Sequence, residues 1–177
     1  SFSKNIGEKI KLKAGIRLEN TQISSSTDGS SEKQKTNYTK FFPSLYLTYD
    51  LNKKEKNTFG INYNRRIGRP NYTHLNPLRW YDNPFVYTEG NPFLKPSFTD
   101  NFEISHTYGN LNSTIFITVL KSGFGQVSFN SQDNNIQITR SENYYNSIIY
   151  GWSESFSFHP FSFWEIFKQS YLYYSDG

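Results

Sequence analysis

The chain has 177 residues, with 19 Lys+Arg against 15 Asp+Glu, no Cys, no Met, and 14 Tyr, 16 Phe and 3 Trp. No apolar run approaches the roughly 20 residues of a spanning helix, which excludes a helical membrane protein and a secretory signal core. The lack of Cys excludes a disulfide framework, a thiolate metal site and a Cys nucleophile, and a net charge of +4 spread along the chain gives no reason to expect nucleic acid as a partner. Negative mean hydropathy beside so many amphipathic rings suits surfaces where one end of a side chain is greasy and the other wet. The chain opens at Ser1 and stops at Ser175-Asp176-Gly177, straight after a Tyr-rich run, and reads as a piece of something longer.

From Lys9 to Glu19 the pattern alternates, with Ile10, Leu12, Ala14, Ile16 and Leu18 on one side and Lys9, Lys11, Lys13, Gly15, Arg17 and Glu19 on the other. The same two-residue period runs from Phe41 to Leu51 and from Phe59 to Ile67. It returns where Phe102 and Ile104 oppose Asn101, Glu103, Ser105 and Thr107, and again from Leu111 to Val119. A sixth, less clean segment extends from about Ile136 to Phe158, and a seventh from Phe163 to Tyr174. The connections alternate between long (20 to 40, 68 to 97, 121 to 135) and short (52 to 57, Gly109-Asn110, Pro160-Phe161-Ser162). In an antiparallel up-and-down sheet this gathers the short turns at one end and the long loops at the other, as in transmembrane β-barrels. The expected fold is therefore all-β: about seven strands of a larger antiparallel up-and-down transmembrane β-barrel.

Pairing the last hairpin about Phe161 sets Phe158 opposite Trp164, Phe156 opposite Ile166, Trp152 opposite Ser170 and Tyr150 opposite Leu172, with Gly151 under Tyr171. It also sets Glu154 against Lys168, an expected cross-strand ion pair at otherwise apolar positions. The Ser/Thr/Gly/Lys stretch 24 to 37 is loop-like and mobile by composition.

The motifs Asn64-Arg65-Arg66-Ile67-Gly68-Arg69-Pro70, Leu75-Asn76-Pro77, Tyr81-Asp82-Asn83-Pro84 and Gly90-Asn91-Pro92-Phe93-Leu94-Lys95-Pro96 occur in order. Tyr150-Gly151-Trp152, then Pro160-Phe161-Ser162-Phe163-Trp164, and a final Tyr173-Tyr174-Ser175 follow them. Over about Phe41 to Ser175 the chain resembles the C-terminal barrel of TonB-dependent outer-membrane receptors, in the form typical of Bacteroidetes. Glu154 and Lys168 depart from that pattern, which usually has apolar or small residues there. The resemblance implies a barrel of about 22 strands around a separate plug, importing a scarce nutrient (a glycan, siderophore or peptide) with energy relayed from the inner membrane. On this reading residues 1–177 are a partial barrel domain in the cell outer membrane, and no segment of the chain reads as the plug. The expected partners are outer-membrane lipid, the plug and remaining strands, the TonB system acting through that plug, and a surface lipoprotein.

Two residue sets become candidates. The connection 68 to 97 holds Pro70, Pro77, Pro84, Pro92 and Pro96, so many prolines that it is expected to be stiff without strand pairing. Trp80, Tyr81 and Tyr87 would stack on a flat ligand while Arg69, Asn76 and Asp82 supply hydrogen bonds; alternatively, the rings pack on one another or form the outer aromatic girdle. Arg17, Asn62, Asn64, Arg66, Glu103 and Thr118 fall on the polar parity and should face the lumen, to guide solute, dock the plug or solvate the interior. No enzyme, cofactor or metal site is expected, since His74, His106 and His159 are far from ligand spacing. Two other classes compete. A soluble β-sandwich carbohydrate-binding module would bury Ile10, Leu12, Leu45, Leu47, Ile61, Ile104, Ile115 and Ile117 against a second sheet. An eight-stranded outer-membrane enzyme or adhesin needs an even strand count.

Overall fold

A computed structural model describes residues 1–26, 33–52, 56–131 and 135–177. In chain order the strands are β1 (Phe2–Ile6), β2 (Ile10–Ser26), β3 (Lys33–Asn52), β4 (Asn57–Gly68), β5 (Arg79–Asn83), β6 (Val86–Glu89), β7 (Ser97–Tyr108), β8 (Leu111–Asn130), β9 (Gln137–Phe161) and β10 (Trp164–Asp176). A one-turn helix, α1 (Tyr72–Leu75), lies between β4 and β5. The single sheet runs β1-β2-β3-β4-β7-β8-β9 with every neighbour antiparallel. Along the other edge of β9, Ile148–Phe161 pairs with β10, while Gln137–Arg140 pairs in parallel with β6. The seven segments read from the alternation are β2, β3, β4, β7, β8, β9 and β10; β1 and the β5–β6 hairpin are additions.

Two unbroken apolar rows cross the sheet. One follows the pairing Leu12, Leu47, Ile61, Ile104, Ile115, Trp152, Leu172; the next follows Ala14, Leu45, Tyr63, Phe102, Ile117, Tyr150, Tyr174. Within the second, Tyr63 stacks on Phe102 at 4.6 Å and Tyr150 on Tyr174 at 5.4 Å. Among the described residues nothing covers these rows: Ile104 is 54% and Ile115 60% exposed. The substantial contacts between described elements all join hydrogen-bonded neighbours of the one sheet. The second sheet that a sandwich requires is not there, and a single layer with a bare apolar face has only lipid left to meet.

The strands differ in length for a physical reason. About 9–11 residues suffice to cross a bilayer, and β4, β7 and β10 have 12, 12 and 13. In contrast, β2, β3, β8 and β9 have 17, 20, 20 and 25, and overshoot at the end where the long connections lie. The stretch 24 to 37 is thus paired strand over Ser24–Ser26 and Lys33–Asn37 rather than loop; its tip, 27–32, lies outside the described residues. Likewise Lys121–Asn130 continues β8 into what the alternation left as a connection. Beyond the lipid both faces are wet, so the side-chain period disappears while the backbone ladder continues. At that level Asn20 Nδ2 donates to Asn37 Oδ1 at 2.9 Å and Thr39 Oγ1 at 2.8 Å.

The last hairpin corrects one expectation. Its loop is Ser162-Phe163, closed by Trp164 opposite Phe161, and an irregularity between Trp164 and Ile166 follows it, so that beyond this point the register has moved by two residues. Glu154 lies opposite Ser170, Lys168 opposite Phe156, Trp152 opposite Leu172, and Gly151 opposite Tyr173. The expected Glu154–Lys168 pair is therefore not formed; Glu154 accepts a long hydrogen bond from Ser113 Oγ at 3.4 Å instead. A two-residue slip keeps every side chain on its face, so hydrophobic pattern cannot choose between the registers; the two-residue loop and the irregularity beside it together set the one observed. Because the chain has no Cys, cross-linking reads the register without background. Cysteines at Glu154 and Ser170, directly opposite at about 4.5–5.5 Å, should oxidise readily in the folded barrel. Cysteines at Glu154 and Lys168, on the diagonal at about 7–8 Å, should not; the reverse pattern would restore the original register.

Candidate functional site

Arg17, Asn62, Asn64, Arg66, Glu103 and Thr118 share the polar face. Asn62 and Glu103 are cross-strand partners, and Asn62 Nδ2 donates to Glu103 Oε2 at 2.9 Å. Asn64, Asn101 and Thr118 form one row across three strands: Asn101 Nδ2 donates to Asn64 Oδ1 at 3.1 Å, and Thr118 Oγ1 donates to Asn101 Oδ1 at 2.9 Å. Arg17, Asn64 and Arg66 line a common hollow of about 310 Å³. At its upper side Arg17 Nε meets Glu19 Oε1 at 2.6 Å, with the guanidinium 5.2 Å from the ring of Phe42. Phe42 is the buried apolar residue of β3, so what little core the sheet has sits on this face.

The connection 69–96 is a folded unit, against the expectation that its prolines exclude strand pairing. Pro84 falls in the β5–β6 turn, where a missing N–H costs nothing, and Pro77, Pro92 and Pro96 flank the hairpin. Asn71 and His74 cap α1 reciprocally, and Gly90 N–H donates to the Asn76 carbonyl at 2.8 Å. The unit docks on the upper part of β9. Arg79 Nε pairs with Glu89 at 3.2 Å, Arg140 Nε with Glu142 at 2.5 Å, and Asn91 Nδ2 donates to Glu142 at 2.9 Å. Asn143 makes three bonds: its Oδ1 accepts from Lys95 N at 2.8 Å, and its Nδ2 donates to the carbonyls of Lys95 at 2.9 Å and Ser122 at 2.8 Å. Sequence reasoning singled out none of Glu89, Asn91, Arg140, Glu142 or Asn143. The signal available was the alternation of Arg140 with Glu142 in a stretch otherwise too polar for lipid.

The six residues expected to form a platform divide. Tyr87 is only 5% exposed, covered by the Arg79 guanidinium at 4.6 Å and by Tyr81 at 5.3 Å. Asn76 is spent on the turn, accepting from Leu78 N at 3.2 Å. Trp80, Tyr81 and Asp82 are all exposed, Asp82 at the irregularity where the β5–β6 pairing shifts between Tyr81 and Asn83. Arg69 stands apart from them: it is ion-paired with Glu19, and this hydrogen-bonded carboxylate, the chief cause, raises the guanidinium above its ordinary pKa.

Arg69 borders a groove of about 600 Å³ between the upper β2–β3 hairpin and the connection. Ile23, Leu75, Pro92, Leu94, Pro96 and Phe98 give it apolar walls, and Tyr38, Lys40, Arg69 and Lys95 supply its polar groups. Thr21 and Ile23 continue the parity of Lys11, Lys13 and Arg17, while Phe98 continues that of Phe102 and Ile104, so the groove lies beyond the apolar rows, above the last β3–β4 pair, Ser44 with Asn64.

The comparisons with known proteins follow this geometry. The whole chain, residues 1–177, matches the outer membrane protein beta-barrel family. No curated protein matches. Among solved structures, the ferric enterobactin receptor from Pseudomonas aeruginosa, in complex with enterobactin, is similar with a TM-score of 0.67 at 16% identity, over 94% of this chain and 25% of its own. The copper transporter OprC gives 0.66 at 13% identity, over 98% and 28%. The siderophore receptor PirA from Pseudomonas aeruginosa gives 0.58 at 15%, over 94% and 32%. The chain thus spans about a quarter to a third of these receptor and transporter barrels, and at such identities the likeness is one of fold. A single-layered, up-and-down sheet with one bare apolar face is the wall of such a barrel, and the chain belongs to the outer membrane protein beta-barrel family, its strands crossing the outer membrane.

Proposed function

We propose that this chain is one arc of the wall of a TonB-dependent import barrel, of the Bacteroidetes form that its Asn-Pro motifs resemble. The observation that carries the reading is the division of the sheet. Apolar rows face one way, while the Asn62–Glu103 and Asn64–Asn101–Thr118 bonds face the other. On this reading the polar face, with Arg17, Asn62, Asn64, Arg66, Glu103 and Thr118, lines a lumen filled by a separate plug. The plug couples to TonB, and the folded connection 69–96 forms part of the outer rim. Trp80, Tyr81 and Asp82 are the exposed groups of that rim that meet a solute or a surface lipoprotein, and Arg69 acts at the groove. The solute is a scarce nutrient: a glycan, a siderophore or a peptide.

The test is genetic. A strain lacking the full-length gene should lose growth on one limiting nutrient from a panel of iron chelates, glycans and peptides. The intact gene should restore growth, and a version lacking residues 78–89 should restore it poorly. Growth unaffected on every member of the panel would overturn the import reading.

A further inference from the structure

The groove behind Arg69 has a charge pattern that its walls alone do not account for. Three cations border it, Lys40, Arg69 and Lys95. The carboxylate beside them, Glu19, is already shared between Arg17 and Arg69. Among the described residues neither Lys40 nor Lys95 has a carboxylate at ion-pair distance; Lys40 Nζ instead stands 5.7 Å from the centre of the Phe98 ring. The Tyr38 hydroxyl is buried beside the Arg69 guanidinium and interacts with it. The cations bordering the groove outnumber the carboxylate beside them, so an anion entering between them gains Coulomb energy. The walls add a shape preference. Pro92, Pro96 and Phe98 are flat and rigid, so a planar apolar body can lie on them with little ordering cost. At about 600 Å³ the groove is within the usual range for a small ligand.

The fastening of the connection is also asymmetric. Towards β9 it is held by a strand pairing, by the Arg140, Glu89, Glu142 and Asn91 network, and by Asn143. Towards β2 and β3 its polar tie runs through Arg69 to Glu19. An acid group in the groove competes with Glu19 for the same guanidinium.

We propose that this groove binds an anion with a flat apolar body, whose acid group takes Arg69 from Glu19 and is held by Lys40 and Lys95. The assignment rests on the import reading only for its purpose; binding itself is measurable without transport. The experiment uses the purified full-length receptor, titrated calorimetrically with naphthalene sulfonate and with uncharged naphthalene methanol. The sulfonate should bind and the alcohol should bind at least about tenfold more weakly. The double variant Lys40→Ala with Lys95→Ala should lose about tenfold in sulfonate affinity. Glu19→Gln, which removes the competing carboxylate, should gain severalfold. A purely structural Glu19 would give the opposite sign, since loosening the groove weakens every ligand. Equal binding of sulfonate and alcohol, no binding of either, or weaker sulfonate binding by Glu19→Gln each overturns the proposal. Sulfonate binding of the expected pattern in a receptor that supports no nutrient uptake would sink the import reading while supporting the groove assignment.

Discussion

Arginine in place of Ile115 should destabilise the lipid-embedded barrel by about 2–4 kcal/mol, the range for a cation on the lipid face near the bilayer midplane. Ile115 is the position to use because it is the middle residue of the alternating stretch Leu111 to Val119 of β8, flanked by Ile104 and Trp152. The control is its immediate neighbour. Thr114 points to the other face, between Ser105 and Ser153, where an arginine is solvated and costs about 0.5 kcal/mol or less. Urea unfolding of the full-length barrel in lipid vesicles, with both variants measured side by side, gives the difference. If the two substitutions cost the same, or if Thr114→Arg costs more, the assignment of the apolar face to lipid is wrong.

That contrast is also why so much of this fold is legible in the sequence. In the bilayer the environment alternates with the pleat, so residues such as Leu47, Ile61 and Ile104 announce both the strand and its facing. The polar candidates follow from the same parity, and Asn62, Asn64, Glu103 and Thr118 are joined across strands as a shared face requires. Where the lipid ends, that information ends. The upper halves of β2, β3, β8 and β9 are held by backbone pairing that leaves no period in the side chains, and they read as loops. Register is lost for a related reason: parity is blind to a slip of two, and only the Ser162-Phe163 loop together with the irregularity between Trp164 and Ile166 fixes Glu154 opposite Ser170. The connection 69–96 is least legible because its determinants are distant in sequence. Asn143 holds Lys95 across 48 positions, and Glu142 holds Asn91 across 51. Tyr87 looked like a ligand-stacking ring, but a guanidinium and a second ring cover it. Composition could not reveal that.

The connection can be unseated without touching the spanning strands. A Cβ at Gly90 would lie 2.4 Å from the Asn76 carbonyl oxygen, 2.6 Å from the Asn76 nitrogen and 2.8 Å from the Thr73 carbonyl oxygen. All three are backbone atoms, so no side chain can swing aside. Gly90→Ala must therefore break the bonds from Gly90 N to the Asn76 carbonyl and from Asn91 N to the His74 carbonyl, which join the turn of α1 to the end of the β5–β6 hairpin. The expected cost, about 1–3 kcal/mol for overpacking, falls on a unit that is not part of the lipid-spanning sheet. Trypsin cleavage at Arg79 should accordingly rise about tenfold or more, while the heat-modifiable gel mobility of the folded barrel stays as it was. Gly109→Ala is the matching control: its φ of +57° strains any other residue by about 1 kcal/mol, but a Cβ there meets nothing within 4 Å, so cleavage at the connection should not change. Because Pro92, Leu94, Lys95 and Pro96 belong both to this unit and to the groove, Gly90→Ala should also weaken naphthalene sulfonate binding. A variant that exposes Arg79 to protease yet keeps full sulfonate affinity would show that the anion is held by β2 and β3 alone.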